Sequence, residues 1–441
     1  MKINWLLLIT IPIFVSSCGN DDVENDTFDG YRGSSDMTRN LQINWATAAN
    51  QSTSQLKAQF ITSGNAFFNK EIRWAEDTPS NIETIPQTNA DVTVISQLKA
   101  AEVMIDNYIR TKNEEMLNGA TSVLNAIYNK NGNSYIGADN TETAAIGLLA
   151  MRLYEATQDN TYWTAAKEIF DVLEEAGETT IQSADVAVSS YTNGSYGIPL
   201  SEADAQREIS GNAMAVIMSI KMYNAANTLG ESADKYRNFA NNVLLFCEGG
   251  LYESTGLVYT STEVSENGAY ENQDQSYNSA NQGYLLGACV AAYNMDHNEA
   301  ALEYANSIAA YQVNGTNNDE VWHENYAVFY PSYGSGKIGT QDRSVLLNNG
   351  IFFRYLTDLI KVNENLASNT KKYTLCLTNN VETMWVMGQS NENCLWGSTW
   401  YQPPYVNEYS SSNSDEWYSK IVISLEAQTA GATLVEMKAL L

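Results

Sequence analysis

The stretch Gly137–Thr157, GADNTETAAIGLLAMRLYEAT, opens with polar residues and then turns almost wholly apolar and small. Ala144, Ala145, Ile146, Leu148, Leu149, Ala150, Met151 and Leu153 leave a helix here hardly any polar face, and a helix apolar all round is buried on every side. Its neighbours must then be helices too. At its start Asp139 and Glu142 stand three apart, a spacing that serves either a capping pair or two carboxylates at one helix mouth.

Moving outward, the periodicity predicts twelve helices near 39–70, 92–110, 114–129, 141–157, 160–176, 208–228, 232–247, 276–295, 297–311, 341–362, 364–385 and 417–440. The connections that follow the even helices are only a few residues, as at Thr111-Lys112-Asn113, Gln158-Asp159 and Leu229-Gly230-Glu231. Those that precede the even helices are long, as at 177–207, 249–275, 312–340 and 386–416, and loops of that length are usually functional. Composition alternates in step. Ile209–Ala226, Tyr277–Tyr293 and Val345–Ile360 are apolar throughout, whereas Tyr162–Ala176 carries Lys167, Glu168, Asp171, Glu174 and Glu175 on one face. An inner and an outer ring of six helices each makes an all-α fold, an (α/α)6 barrel, with the long loops and the site on one rim.

The first residues read as a targeting signal, with Lys2, an apolar run from Trp5 to Val15, and small residues before Cys18. This resembles a bacterial lipoprotein signal, in which residues 1–17 are removed and Cys18 is lipidated. Residues 18–38 then form an acidic tether with Asp21, Asp22, Glu24, Asp26, Asp29 and Asp36, similar to the surface-export signal of Bacteroidetes lipoproteins. The expected domains are thus a signal peptide at 1–17, the tether at 18–38 and the barrel at 39–441. The expected place is the outer membrane, held by the lipid anchor only and exposed at the cell surface.

Charge and composition narrow the ligand. Lys plus Arg is 24 and Asp plus Glu is 52, a net charge of −28, so the surface repels nucleic acid and anionic membranes. With 27 Tyr and 9 Trp beside Asn-rich loops, the chain suits a neutral ligand whose faces stack and whose hydroxyls form hydrogen bonds, such as a sugar. Beyond Cys18 there are Cys247, Cys289, Cys376 and Cys394 with no CxxC, and only His297 and His323, so neither a metal nor a cofactor is expected. A lyase or epimerase on this fold wants a histidine or tyrosine pair at the rim. His297 is predicted at a short turn on the opposite face, leaving His323 alone for that role.

Four segments together resemble glycoside hydrolase family 76, the endo-acting α-1,6-mannanases. Asn278–Ala288, NSANQGYLLGA, is similar to the family's Tyr-Asn-Gln-Gly stretch at an inner helix head, and Leu251–Thr260, LYESTGLVYT, to its turn after an outer helix. Asn349–Leu356, NGIFFRYL, and Leu395–Trp400, LWGSTW, are similar to its Lys-Gly-x-Phe-x-Arg-Tyr-Leu segment and tryptophan loop. The resemblance implies retaining hydrolysis of α-mannan or a related glycan, and neighbouring glycan-uptake proteins as possible partners. It also implies two adjacent aspartates at the head of the helix near 141. Aligned without a gap, that pair falls on Thr141 and Glu142, and threonine can take neither carboxylate's role. Ala280 stands for the family's tyrosine and Asn349 for its lysine.

The candidate catalytic residues are therefore Glu142 and Asp139, with Asp204, Glu208, Asp274 and Asp342 as further rim carboxylates, since retaining hydrolysis needs two carboxyls roughly 5 to 5.5 Å apart. Tyr277, Asn278, Asn281 and Gln282 read sugar hydroxyls, or Asn278 caps a helix and Gln282 is a buried partner. Asp342 and Arg343 bind ligand or each other. Arg354, deep in an apolar helix, is structural and paired with a buried carboxylate. Trp400, with Trp396 and Tyr401, stacks on sugar or packs its own loop. The alternative to hydrolysis is a catalytically silent protein that binds glycan for uptake.

Overall fold

The computed structural model describes residues 41–62, 64–65, 67–76, 80–183, 196–265, 268–314, 322–323, 328–329, 343–365, 370–390, 393–405 and 420–441. Cys18, the tether and Asp342 lie outside them. Among these residues the helices are α1 Trp45–Phe60, α2 Val94–Thr111, α3 Glu114–Lys130, α4 Asn140–Thr157, α5 Asn160–Ser183 and α6 Ile209–Leu229. They continue with α7 Asp234–Gly250, α8 Ser279–Asp296, α9 Glu299–Asn314, α10 Asn348–Asn365, α11 Lys371–Thr383 and α12 Leu425–Ala439. The strands are β1 Glu71–Ala75, β2 Glu83–Ile85, β3 Arg207–Glu208, β4 Ser261–Val264, β5 Tyr270–Asp274, β6 Trp322–His323, β7 Val328–Phe329 and β8 Lys420–Ser424.

The even helices close a ring, each packing on the next from α2 to α12, with α12 returning to α2. Each odd helix lies outside against its two chain neighbours, α1 bridging α12 and α2, so the fold is an (α/α)6 barrel. Burial follows the sequence pattern. Every residue of α6 from Ile209 to Ile220 except Ser210 is buried, whereas α3 buries only Met116, Ala120, Val123, Leu124, Ala126 and Ile127, a stripe at helical spacing. Each fully buried Leu or Ile contributes about 2 kcal/mol, so packing within the ring holds the inner helices more than their intrinsic propensity does. The ring is tight: a Cβ on Gly283 would meet the Phe352 Cα at 2.7 Å, which brings the α8 and α10 backbones into contact.

The two ends of the barrel are built differently. After α2, α4, α6 and α8 the chain turns back through a left-handed residue, Lys112, Gln158, Gly230 and His297, whose N–H bonds to a carbonyl four residues earlier. Asn113, Asp159 and Asn298 then accept the N–H groups of Glu115, Thr161 and Ala300 at 3.0, 2.8 and 3.1 Å, starting the next outer helix. His297 thus sits at the short-turn end, as its position in the sequence predicts. All the strands fall in the connections that run from an outer to an inner helix, at the other rim.

Two of the expected helices give way to strands at one end. The helix expected over 39–70 stops at Phe60, and Glu71–Ala75 forms β1, paired antiparallel with β2 and β8. The helix expected from 417 begins only at Leu425, because Lys420–Ser424 pairs along its whole length with β1. This segment, Lys-Ile-Val-Ile-Ser, is rich in β-branched residues, and Ser424 ends it by capping α12, accepting the Ala427 N–H at 3.2 Å.

A charged plug crosses the barrel axis. Glu102 of α2 pairs with Lys99 at 2.7 Å, with Arg152 of α4 at 3.2 Å and with Arg354 of α10 at 3.3 Å, while Asp106 pairs with Arg354 at 2.7 Å and also with Arg152. Arg354 is therefore structural, with two buried carboxylate partners. On the short-turn side of this plug, a cavity of about 510 Å³ is walled by all six inner helices. No described helix is long and apolar enough to cross a membrane.

Candidate active site

The mouth of α4 is closed by its own side chains. Asp139, in extended conformation, accepts the Glu142 N–H through Oδ1 at 2.7 Å, and Glu142 Oε2 accepts the Ala138 N–H at 3.0 Å. Thr143 adds a third link, donating to the Asp139 carbonyl at 2.7 Å and accepting the Gly137 N–H at 3.0 Å. Reciprocal bonds of this kind satisfy donors that a helix start leaves open, so the capping reading of the Asp139–Glu142 pair describes the geometry. Each carboxylate commits one oxygen to the cap.

Thr141, between them, points across to the next inner helix. Its hydroxyl donates to Glu208 Oε2 at 3.0 Å, and the Ser210 hydroxyl lies 3.4 Å from the same oxygen. Glu208 is the residue before α6 and the last of β3, held opposite Ser261 of β4. Asn212 fixes the surrounding backbone, donating to the Glu208 carbonyl at 2.8 Å and bonding both backbone groups of Ile198 at 2.7 and 3.0 Å. Gly211 allows the close approach, since a Cβ there would stand 2.5 Å from Thr141 Oγ1. Burial holds the Glu208 carboxyl above the usual carboxylate range; repulsion from Asp139 and Asp204 adds to it, and the Thr141 and Ser210 hydroxyls oppose it.

Glu208 stands in the sequence only as one of several rim carboxylates, with no motif around it. The signal that singles it out is spatial, because it precedes the helix next to α4 and meets a threonine of α4.

The expected sugar-reading residues build the walls of this rim. The Tyr277 hydroxyl donates to Gln312 of α9, and burial pushes its phenol pKa well above the ordinary tyrosine range, so it stays protonated. Asn278 caps α8 by accepting the Ala280 N–H at 2.8 Å, and Asn281 donates to Thr260 Oγ1 at 3.0 Å. Gln282, fully buried, donates to the Gly256 carbonyl and accepts the Val258 N–H, both at 2.9 Å, pinning the turn of the LYESTGLVYT segment. Asn349 accepts from Ser279 at 2.8 Å, joining α10 to α8.

Arg343 pairs with Glu71 of β1, which also pairs with Arg73; all three are buried. Trp400 is buried with its ring 5.9 Å from that of Phe353, so it packs against the inner helix α10. Cys247, Cys289, Cys376 and Cys394 are buried free thiols, and no cluster of metal-ligating side chains occurs among the described residues.

Solved structures share this architecture across nearly the whole barrel. An α-1,6-mannanase of Salegentibacter sp. HEL1_6 superposes with a TM-score of 0.69 at 20% identity, covering 90% of this chain and 99% of the other. The fold is that of the family 76 glycoside hydrolases. A family 76 enzyme from a bovine Bacteroides thetaiotaomicron strain matches at 14% identity and TM-score 0.63, over 90% of this chain and 77% of that one. An inactive Salegentibacter variant, with two adjacent aspartates replaced by alanine, is solved in complex with α-1,6-mannotetrose and matches at 0.68 and 19% identity, over 90% and 99% of the two chains. A heparin-specific unsaturated glucuronyl hydrolase also matches, at 11% identity and TM-score 0.57 over 90% and 97% of the chains, so the barrel alone does not fix the chemistry. No family model matches the sequence, and no curated protein does either.

Proposed function

We propose that this protein hydrolyses an α-linked mannose polymer or a related glycan at the long-loop rim, as a divergent member of the family 76 mannanases. The observation that carries the reading is Glu208, bonded by Thr141 and acted on by Asp139 and Asp204, on a barrel shared with α-1,6-mannanases. Glycosidic bonds are broken by carboxyl groups flanking the anomeric carbon, and this corner of the rim is where they gather. Turnover is slow beside that of a family member with both aspartates, because Thr141 supplies no carboxylate.

A second reading, a silent glycan-binding protein serving uptake, is favoured by the cap that engages both Asp139 and Glu142. In either case the chain is proposed to be carried on a lipid at Cys18, at the cell surface. Two acyl chains are needed for stable anchoring, and lipoprotein processing provides them.

Incubating the purified mature protein with α-1,6-mannan and other polysaccharides, while reading bound and released sugar, tests the proposal. Release of manno-oligosaccharides supports hydrolysis. Binding without release overturns it in favour of the silent reading.

A further inference from the structure

We propose that Glu208 is the proton donor of this site, held in place by the Thr141 hydroxyl, so that the carboxyl missing from α4 is supplied instead from the head of α6. The inference rests on the hydrolytic reading given above and extends it to a residue that the missing aspartate pair does not include. Its basis is the geometry across the seam between α4 and α6. Thr141 occupies the position expected of the first aspartate, and the side chain it meets is a carboxyl, at 3.0 Å. Gly211 lets Thr141 approach α6, since a Cβ there would stand 2.5 Å from Thr141 Oγ1, and the Asn212 bonds fix the backbone from which Glu208 projects.

The charged groups acting on Glu208 are Asp139 from the mouth of α4 and Asp204 from the loop before β3, both acidic. Together with burial they favour the protonated carboxyl, the form an acid catalyst requires, against the opposing Thr141 and Ser210 bonds. Asp139 is held at the start of α4, where its Oδ1 accepts the Glu142 N–H at 2.7 Å.

In the step itself, the bond between the anomeric carbon and the glycosidic oxygen breaks with its electron pair on oxygen, and that oxygen takes the proton of Glu208. Water then adds its oxygen to the anomeric carbon, and the proton it releases restores Glu208. Substrate and water are consumed, two sugars with free ends are formed, and no oxidant or further reactant enters.

The test compares wild type with Glu208→Gln on α-1,6-mannan and on a dinitrophenyl glycoside of α-1,6-mannobiose, whose leaving group departs without protonation. Glu208→Gln is expected to lose about 100-fold or more in kcat/KM on mannan and less than about 10-fold on the aryl substrate, with the alkaline limb of the mannan pH profile abolished. Thr141→Ser keeps the hydroxyl and retains activity on both. Equal losses on the two substrates, or none, overturn the role of Glu208 while leaving the hydrolytic reading intact. Wild-type protein that binds mannan but cleaves neither substrate overturns both. Thermal melts and mannan binding by each variant separate misfolding from lost chemistry.

Discussion

Thr141 and Glu208 face each other across the seam between α4 and α6, the threonine hydroxyl donating to the carboxyl at 3.0 Å. Because burial and two acidic neighbours raise the proton affinity of Glu208 above its ordinary 4.5, the folded chain keeps a proton here that the unfolded chain has released. Stability contributed by this group is therefore present at low pH and falls as pH rises from about 4.5 upward through the folded value. Glu208→Gln removes that dependence and leaves a side chain that still accepts from Thr141. The variant is expected to melt at or above the wild-type temperature at pH 8, with the difference shrinking toward pH 4. A lower melting temperature at pH 8 contradicts this.

The α4 cap gives a separable outcome. Glu142→Gln keeps an acceptor for the Ala138 N–H, so stability and any turnover should change little. Asp139→Ala removes the acceptor of the Glu142 N–H and should cost about 1 kcal/mol, which Asp139→Asn should largely restore. Denaturant titration measures both. Loss of turnover in Glu142→Gln without loss of stability would return Glu142 to the chemistry.

How far the sequence carries this structure can be argued from particular elements. The ring was legible because a helix buried on all sides has no polar face to hide, as in Ile209–Ile220, and because short and long connections alternate with the rings. The strand at Lys420–Ser424 was not, since its pairing partner lies more than 300 residues away at β1 and local periodicity carries no record of it. At the rim, spacing offered Asp139 and Asn278 either as caps or as site residues, and each accepts a backbone N–H at the head of its helix. Glu208 was not singled out in this way, because what distinguishes it is a threonine on another helix. Tyr277 reads as a ligand-binding group in sequence and Gln282 as that or a buried partner, and only the positions of Gly256, Val258 and Gln312 reveal what they bond.

The plug between α2, α4 and α10 sets the acid limit of the fold. Burial opposes charge on Glu102, yet Lys99, Arg354 and Arg152 more than offset it and hold the carboxyl down at about 2. Its stabilising contribution is thus complete above the ordinary 4.5 and is lost as pH falls from there toward 2. Arg354→Met leaves Glu102 and Asp106 short of a buried partner and should cost about 3 to 5 kcal/mol at pH 7. Melts across pH 2.5 to 7 should show the penalty narrowing in acid. A pH-independent penalty would assign it to lost packing.

Gln282 tests whether the resemblance at the head of α8 reflects binding or construction. Gln282→Leu leaves the Gly256 carbonyl and the Val258 N–H without the amide and should cost about 2 kcal/mol. Glycan affinity of the folded fraction should stay within a few-fold of wild type. A large loss of affinity at unchanged stability would make Gln282 a contact for sugar.

Restoring a carboxylate at position 141 is the most direct probe of the seam, and its outcome depends on Glu208. In Thr141→Asp a second carboxyl arrives where the threonine hydroxyl now stands, within hydrogen-bond reach of Glu208. Two carboxyls so placed cannot both ionise freely and must share a proton, which raises the cost of folding as pH increases. A tenfold change in proton affinity corresponds to about 1.4 kcal/mol, so the variant is expected to lose roughly 1 kcal/mol or more at pH 8, and to lose less at pH 5. In the Glu208→Gln background the amide donates to the new carboxylate, so the penalty at pH 8 should largely vanish. A double-mutant cycle at the two pH values reads this coupling directly. Equal penalties in both backgrounds would mean that the side chain at position 141 turns away from Glu208, and the seam would then hold no shared proton.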